Sequence, residues 1–216
     1  SSMSSMLFVD SDSSRWVKPA IIIAVIGAIL AGAFVFWKSV ARRPASKIKA
    51  VAAVLPDTGS GVLNGSNCWI EGRALLEIAE VGRVFERHEY ILSDDHDAKS
   101  LLVCGMNPGG KDWVLFSPVQ PLNTTTPEEA AALKLGEVIN INGNVAPVRE
   151  LFQETVRQVG GNRTGMDAGG IFYGIVAQSG KTILLVRWNE RGVQCYEGKP
   201  VSETELALVF PKRAGK

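Results

Sequence analysis

Four groups of side chains have types and spacings that could do chemistry. Asp94-Asp95-His96-Asp97 gathers three carboxylates and an imidazole, the oxygen-rich kind of set that hard cations favour. An EF-type calcium loop needs regular alternation, a glycine and a distal glutamate, and these are missing. The tetrapeptide reads instead as a solvated hairpin tip between Leu92 and Leu101, where polar residues gather for backbone reasons. Gly174 to Gly180-Lys181-Thr182 resembles a phosphate loop, but five residues separate the glycines where four are required. Thr182–Trp188 also reads as a strand, not as the helix whose N-terminus would hold phosphate. Gln178-Ser179-Gly180-Lys181 is therefore expected to be a hairpin turn.

The third group is Cys68, Cys104 and Cys195 with His88 and His96. Their separations are too wide for a zinc motif. A Cys–His nucleophile would need tertiary contacts that spacing does not reveal, and buried free cysteine as a small apolar filler is the commoner use. The fourth group is aromatic: Trp113, Trp188, Tyr173, Tyr196 and Phe172. These either fill β cores or line a protein-binding face, since aromatics dominate binding hot spots. No catalytic residue, cofactor site or metal site is assigned from these residues.

The elements that carry these groups divide the 216 residues unevenly. Ala20 to Trp37 is free of charge and of strongly polar side chains. As a helix its 18 residues would be about 27 Å long, close to the hydrocarbon thickness of a bilayer. Pro19 suits a first helical turn. A cleaved signal peptide would have a shorter apolar core and a small-residue cleavage site, and a buried soluble helix would keep a polar face. A transmembrane helix over 19–38 is thus expected, after an N-terminal tail over 1–18. Ala20, Ala24, Gly27, Ala28, Ala31 and Gly32 form a small-residue face suited to helix–helix packing in lipid. Trp16, Trp37, Lys38, Arg42 and Arg43 are the expected interfacial anchors.

Residues 1–49 hold seven basic and two acidic side chains, leaving 16 basic and 20 acidic in the rest. The basic residues cluster after the strip, so the positive-inside bias places the N-terminus outside and the C-terminal part in the cytoplasm of a cell inner membrane. A basic linker over 39–61 would lie against anionic headgroups of the lipid bilayer. The net charge of +1 argues against a generic nucleic-acid binder. With 46% hydrophobic and 21% charged residues, disorder throughout is excluded as well.

From residue 62 the text is β-rich, with short runs at Ala74–Ala79, Glu89–Leu92, Leu101–Cys104, Trp113–Phe116, Val138–Ile141, Ile171–Ala177, Thr182–Trp188 and Val193–Tyr196. Tyr90, Leu101-Leu102-Val103 and Trp113 can be laid over Tyr173, Leu184-Leu185-Val186 and Tyr196. The Tyr-to-Leu spacing is 11 in both and the Val-to-aromatic spacing is 10 in both. Ile70-Glu71-Gly72-Arg73 and Ile141-Asn142-Gly143-Asn144 would be the matching earlier strands. A mainly β fold with two small barrel- or sandwich-like units, a degenerate tandem repeat over 62–122 and 137–210, is the expectation. The units are joined by a capped helix within 123–136, where Thr126-Pro127-Glu128-Glu129 is a capping box. A C-terminal tail covers 211–216. Pro147–Val159 is read as a second helix, with an irregular strand as the alternative.

Pro127-Glu128-Glu129 leading into Leu133-Lys134-Leu135-Gly136-Glu137, the strand Glu89-Tyr90-Ile91-Leu92, and Trp188 with Tyr196-Glu197-Gly198 together carry a resemblance. They are similar to an uncharacterised bacterial family of small β domains, often in tandem, behind a single transmembrane helix. The resemblance implies β architecture over most of 62–210 and brings no catalytic residue. The reading is a single-pass accessory subunit packed on an integral-membrane complex, for example a respiratory or photosynthetic one. Its partners would be integral-membrane subunits, and no nucleic acid. The alternatives are a self-associating membrane adaptor with a ligand-binding β face, and an enzyme with a cryptic metal or cysteine site.

Overall fold

The computed structural model describes residues 58–121, 125–163 and 165–209. Among these are ten strands: β1 (Gly59–Leu63), β2 (Ser66–Glu80), β3 (Arg83–Asp94), β4 (Lys99–Cys104), β5 (Trp113–Val119), β6 (Val138–Ile141), β7 (Asn144–Gly161), β8 (Ile171–Ser179), β9 (Thr182–Asn189) and β10 (Gly192–Val201). Two short helices join them, α1 (Pro127–Ala132) and α2 (Glu203–Val209). No helix among the described residues is long and apolar enough to cross a membrane. The expected helix at 19–38, its small-residue face and its anchors lie outside the described residues.

The expectation of two separate small β units is corrected to one closed antiparallel barrel. Its strand order is β2-β3-β4-β5-β10-β9-β8-β7, and β7 returns to pair with β2. Each half of the chain supplies four strands, and the seams β2–β7 and β5–β10 join one half to the other. Four strands alone would leave two long unpaired edges, which closure removes. β1 and β6 extend the sheet along β2 and β7.

Alternation sorts the side chains into three cores. Inward-facing residues such as Leu76, Ile78, Leu101, Val103, Phe116 and Leu185 fill the barrel. Burying each of these large side chains stabilises the fold by roughly 1.5–3 kcal/mol. Two of the tightest places are made by glycine: a Cβ on Gly174 would stand 2.3 Å from the Phe152 ring, and one on Gly198 would stand 2.4 Å from the Phe116 ring. The outer face of the first half, with Cys68, Tyr90, Leu102, Cys104 and Trp113, is covered by Leu206 of α2. The outer face of the second half, with Val148, Ile175, Leu184 and Val186, is covered by Ala130 of α1. Each half's trailing helix therefore seals the other half.

The repeat follows a different register from the expected one. Leu101 and Val103 face the lumen, whereas Leu184 and Val186 face outward. Trp113 is in an outer core and Tyr196 packs against the inner one. A slip of one residue inverts every side chain in a strand, so equal spacing placed opposite faces in correspondence. Ile70–Arg73 lies inside β2, whereas Asn142-Gly143 is the β6–β7 turn, so these two do not match either. The true counterpart of Asn142-Gly143 is Asn64-Gly65. Both pairs have left-handed φ values, 51° and 82° in one and 52° and 90° in the other, as the tight twisted hairpin turn demands. Six residues beyond each glycine the ladder carries a bulge, at Glu71 and at Arg149.

The second expected helix, Pro147–Val159, is the middle of β7. Val148, Phe152 and Val156 are four apart, which is one helical turn but also an even number of strand residues, so spacing alone fits both periods. In the strand, Phe152 and Val156 face the lumen, while the bulge turns Val148 to the outer core. α1 has the expected capping box: Thr126 Oγ1 accepts from the Glu129 N–H at 3.2 Å, and Glu129 Oε2 accepts from the Thr126 N–H at 3.0 Å. α2 begins with the same device, Ser202 and Glu205, which the sequence reading missed.

Candidate functional site

The inward faces of three strands carry charge in the middle of the barrel. Phe85-x-Arg87-x-Glu89-x-Ile91 runs along β3, Phe152-x-Glu154-x-Val156 along β7 and Leu185-x-Arg187 along β9. Arg87, Glu89 and Glu154 are fully buried and Arg187 is 1% exposed. Arg187 lies at the centre: it ion-pairs with Glu89, and its Nη2 donates to Glu154 Oε1 at 3.1 Å. Its Nε also stands 2.6 Å from Glu154 Oε2, an ion-pair contact without hydrogen-bond alignment. Arg87 Nη1 donates to the same Glu154 Oε1 at 3.2 Å, and its guanidinium lies 4.8 Å from the Phe152 ring centroid.

A fifth member comes from outside the strands. Arg163, in the segment between β7 and β8, reaches into the barrel end and ion-pairs with the second oxygen of Glu89. Met166 of the same segment is buried in the barrel core. The segment is fastened at its start, where the Asn162 N–H donates to Glu71 O at 2.8 Å. Burial by itself would push the Glu89 carboxyl up, but Arg187 and Arg163, with Arg87, hold it below its ordinary range. Burial would lower the Arg187 guanidinium, but Glu154 and Glu89 hold it charged. Burial pushes the nearby Tyr196 phenol up.

At the opposite barrel end, burial first and Glu80 second push the Glu150 carboxyl up. The sign of its pH effect follows. The folded state keeps this proton better than the unfolded chain does, so its contribution is intact below the ordinary carboxyl pKa and is lost as pH rises through the raised one. Glu150→Gln is expected to raise the melting temperature at pH 7 and to leave it nearly unchanged near pH 4. Thermal unfolding of both proteins across that range checks this; equal melting temperatures at pH 7 would contradict it.

Beside the Arg163 end an open groove of about 420 Å³ lies between the β7–β8 segment and the β9–β10 turn, within the size range of ligand sites. One wall is Gly165, Asp167, Gly169 and Gly170; the other is Asn189, Glu190 and Arg191, with Ile171 and Tyr173 between. Asn189 Oδ1 accepts from the Arg191 N–H at 2.8 Å, which sets the turn. Tyr173 is backed by Trp188, with ring centroids 6.0 Å apart and planes at 29°.

The sequence-selected groups separate accordingly. Asp94–Asp97 is a hairpin tip: Asp94 Oδ1 accepts from the His96 and Ala98 N–H groups, both at 2.9 Å, and these bonds hold its carboxyl low. Gln178–Lys181 spans the β8–β9 turn, with Gly180 at φ 59°. Among the described residues no three metal-ligating side chains gather. The three cysteines are free and buried. Pairing places His88 opposite Cys104, but burial, with Asp112 and Glu203, pushes that thiol up to about 12, the reverse of nucleophile activation. Of the aromatics, Trp113 is in an outer core, Phe172 and Tyr196 face the lumen, half-buried Tyr173 lines the groove, and half-buried Trp188 stacks on it and packs against the second outer core. The lumen cluster was missed, although a charge at the inward parity of an apolar strand was its signal.

No family model, no curated protein and no solved structure matches this chain.

Proposed function

We propose that this chain is a non-catalytic accessory subunit, held at the membrane by the apolar strip Ala20–Trp37, whose barrel is a rigid body for docking on an integral-membrane assembly from the cytoplasmic side. The filled lumen carries the reading. Arg87, Glu89, Glu154, Arg163 and Arg187 with the Phe85, Phe116, Phe152 and Phe172 rings occupy the space that ligand-carrying barrels keep open. Recognition is left to the outside and the rims. The strip and its basic trailing edge support the location.

The test is extraction in mild detergent, then sizing and mass spectrometry of what travels with the chain. A stoichiometric integral-membrane partner is expected. A homo-oligomer without one would favour the self-associating adaptor, and recovery of the uncleaved chain in a salt-washed, detergent-free supernatant would remove the membrane role.

A further inference from the structure

We propose that the groove between the β7–β8 segment and the β9–β10 turn receives a lysine or arginine side chain from a cytoplasmic loop of the membrane partner; this rests on the accessory-subunit reading. Three observations carry it. The walls set two carboxylates, Asp167 and Glu190, against one guanidinium, Arg191. Tyr173 lines the groove with its ring packed on Trp188, and an aromatic ring attracts a cation, while Ile171 offers apolar contact for its aliphatic stem. The glycine-rich wall leaves room for an entering side chain, and its position is set by Arg163, which is anchored on the buried Glu89.

The partner's chemistry follows from charge. Residues 50–216 hold 16 basic and 20 acidic side chains. Cytoplasmic loops of integral-membrane proteins carry an excess of Lys and Arg. The two surfaces are complementary, and opposite potentials guide docking and fix its register.

The probes are N-acetyl-lysine methylamide and N-acetyl-arginine methylamide, with N-acetyl-norleucine methylamide as the neutral comparator. They are titrated into the full chain in detergent micelles and followed by the Trp188 indole and the Gly169 and Gly170 amide resonances. Saturable shifts confined to the groove are expected with the cationic probes, with binding at least about fivefold weaker for norleucine and for the Asp167→Asn/Glu190→Gln variant. The two replaced side chains are exposed, so the variant is expected to fold. Equal binding of norleucine, or no saturable shift, overturns the proposal. A membrane partner that co-purifies while the probes fail to bind sinks the groove and keeps the accessory reading. Probe binding by a chain that travels alone overturns the partner.

Discussion

Arg187→Met is expected to destabilise the barrel by about 3–5 kcal/mol, the loss seen when one member of a buried ion pair is removed. Arg187 touches both Glu89 and Glu154, which are fully buried. Its removal leaves Glu89 with Arg163 and Glu154 with Arg87 at 3.2 Å. Domain stabilities are only about 5–15 kcal/mol, so this single change takes a large share. A barrel of this size would melt roughly 6–20 °C lower. Arg187→Lys keeps the charge but loses the planar fork that meets two carboxylates, and should fall between the two. Adding Glu154→Leu to Arg187→Met should recover part of the loss, because a carboxylate that has lost a partner is removed with it. Urea unfolding of the full chain followed by tryptophan fluorescence measures all four proteins. A loss below about 1 kcal/mol for Arg187→Met would show that the cluster is solvated rather than buried.

Cutting the chain between α1 and β6 tests the closure directly. Residues 1–136 and 137–216, made separately, are each expected to lack a cooperative unfolding transition. The first piece would expose the edges of β2 and β5, and the second those of β7 and β10. Each would also lack the helix that covers its outer core, since Leu206 seals the first half and Ala130 the second. Made together, the pieces should form a one-to-one complex that melts cooperatively. Independent folding of either piece would restore two separate units and sink the barrel.

Much of the strand inventory was legible because alternation is local. Val138–Ile141 is β6 to the residue, and the runs at 101–104, 113–116, 171–177 and 182–188 lie within β4, β5, β8 and β9. The α1 cap was legible for the same reason, because Thr126 and Glu129 satisfy each other within one turn. Two local signals were passed over: the Asn-Gly pairs at 64–65 and 142–143, which mark matching hairpins, and Ser202-x-x-Glu205, which caps α2. The misreading of β7 came from a spacing of four, which belongs to both periods.

By itself the amino-acid order determined which stretches extend, where they turn and which residues lie on one side of a strand, because those depend on neighbours a few residues away. Only the tertiary structure decided that β2 meets β7 and that β5 meets β10. It also decided that Arg163, Arg187 and Glu89 converge, although 74 and 98 positions separate the pairs that touch. Pairing across such distances is chosen by which edges remain unsatisfied once the hairpins have formed. A buried charge finds its partners only after the sheet has closed around it.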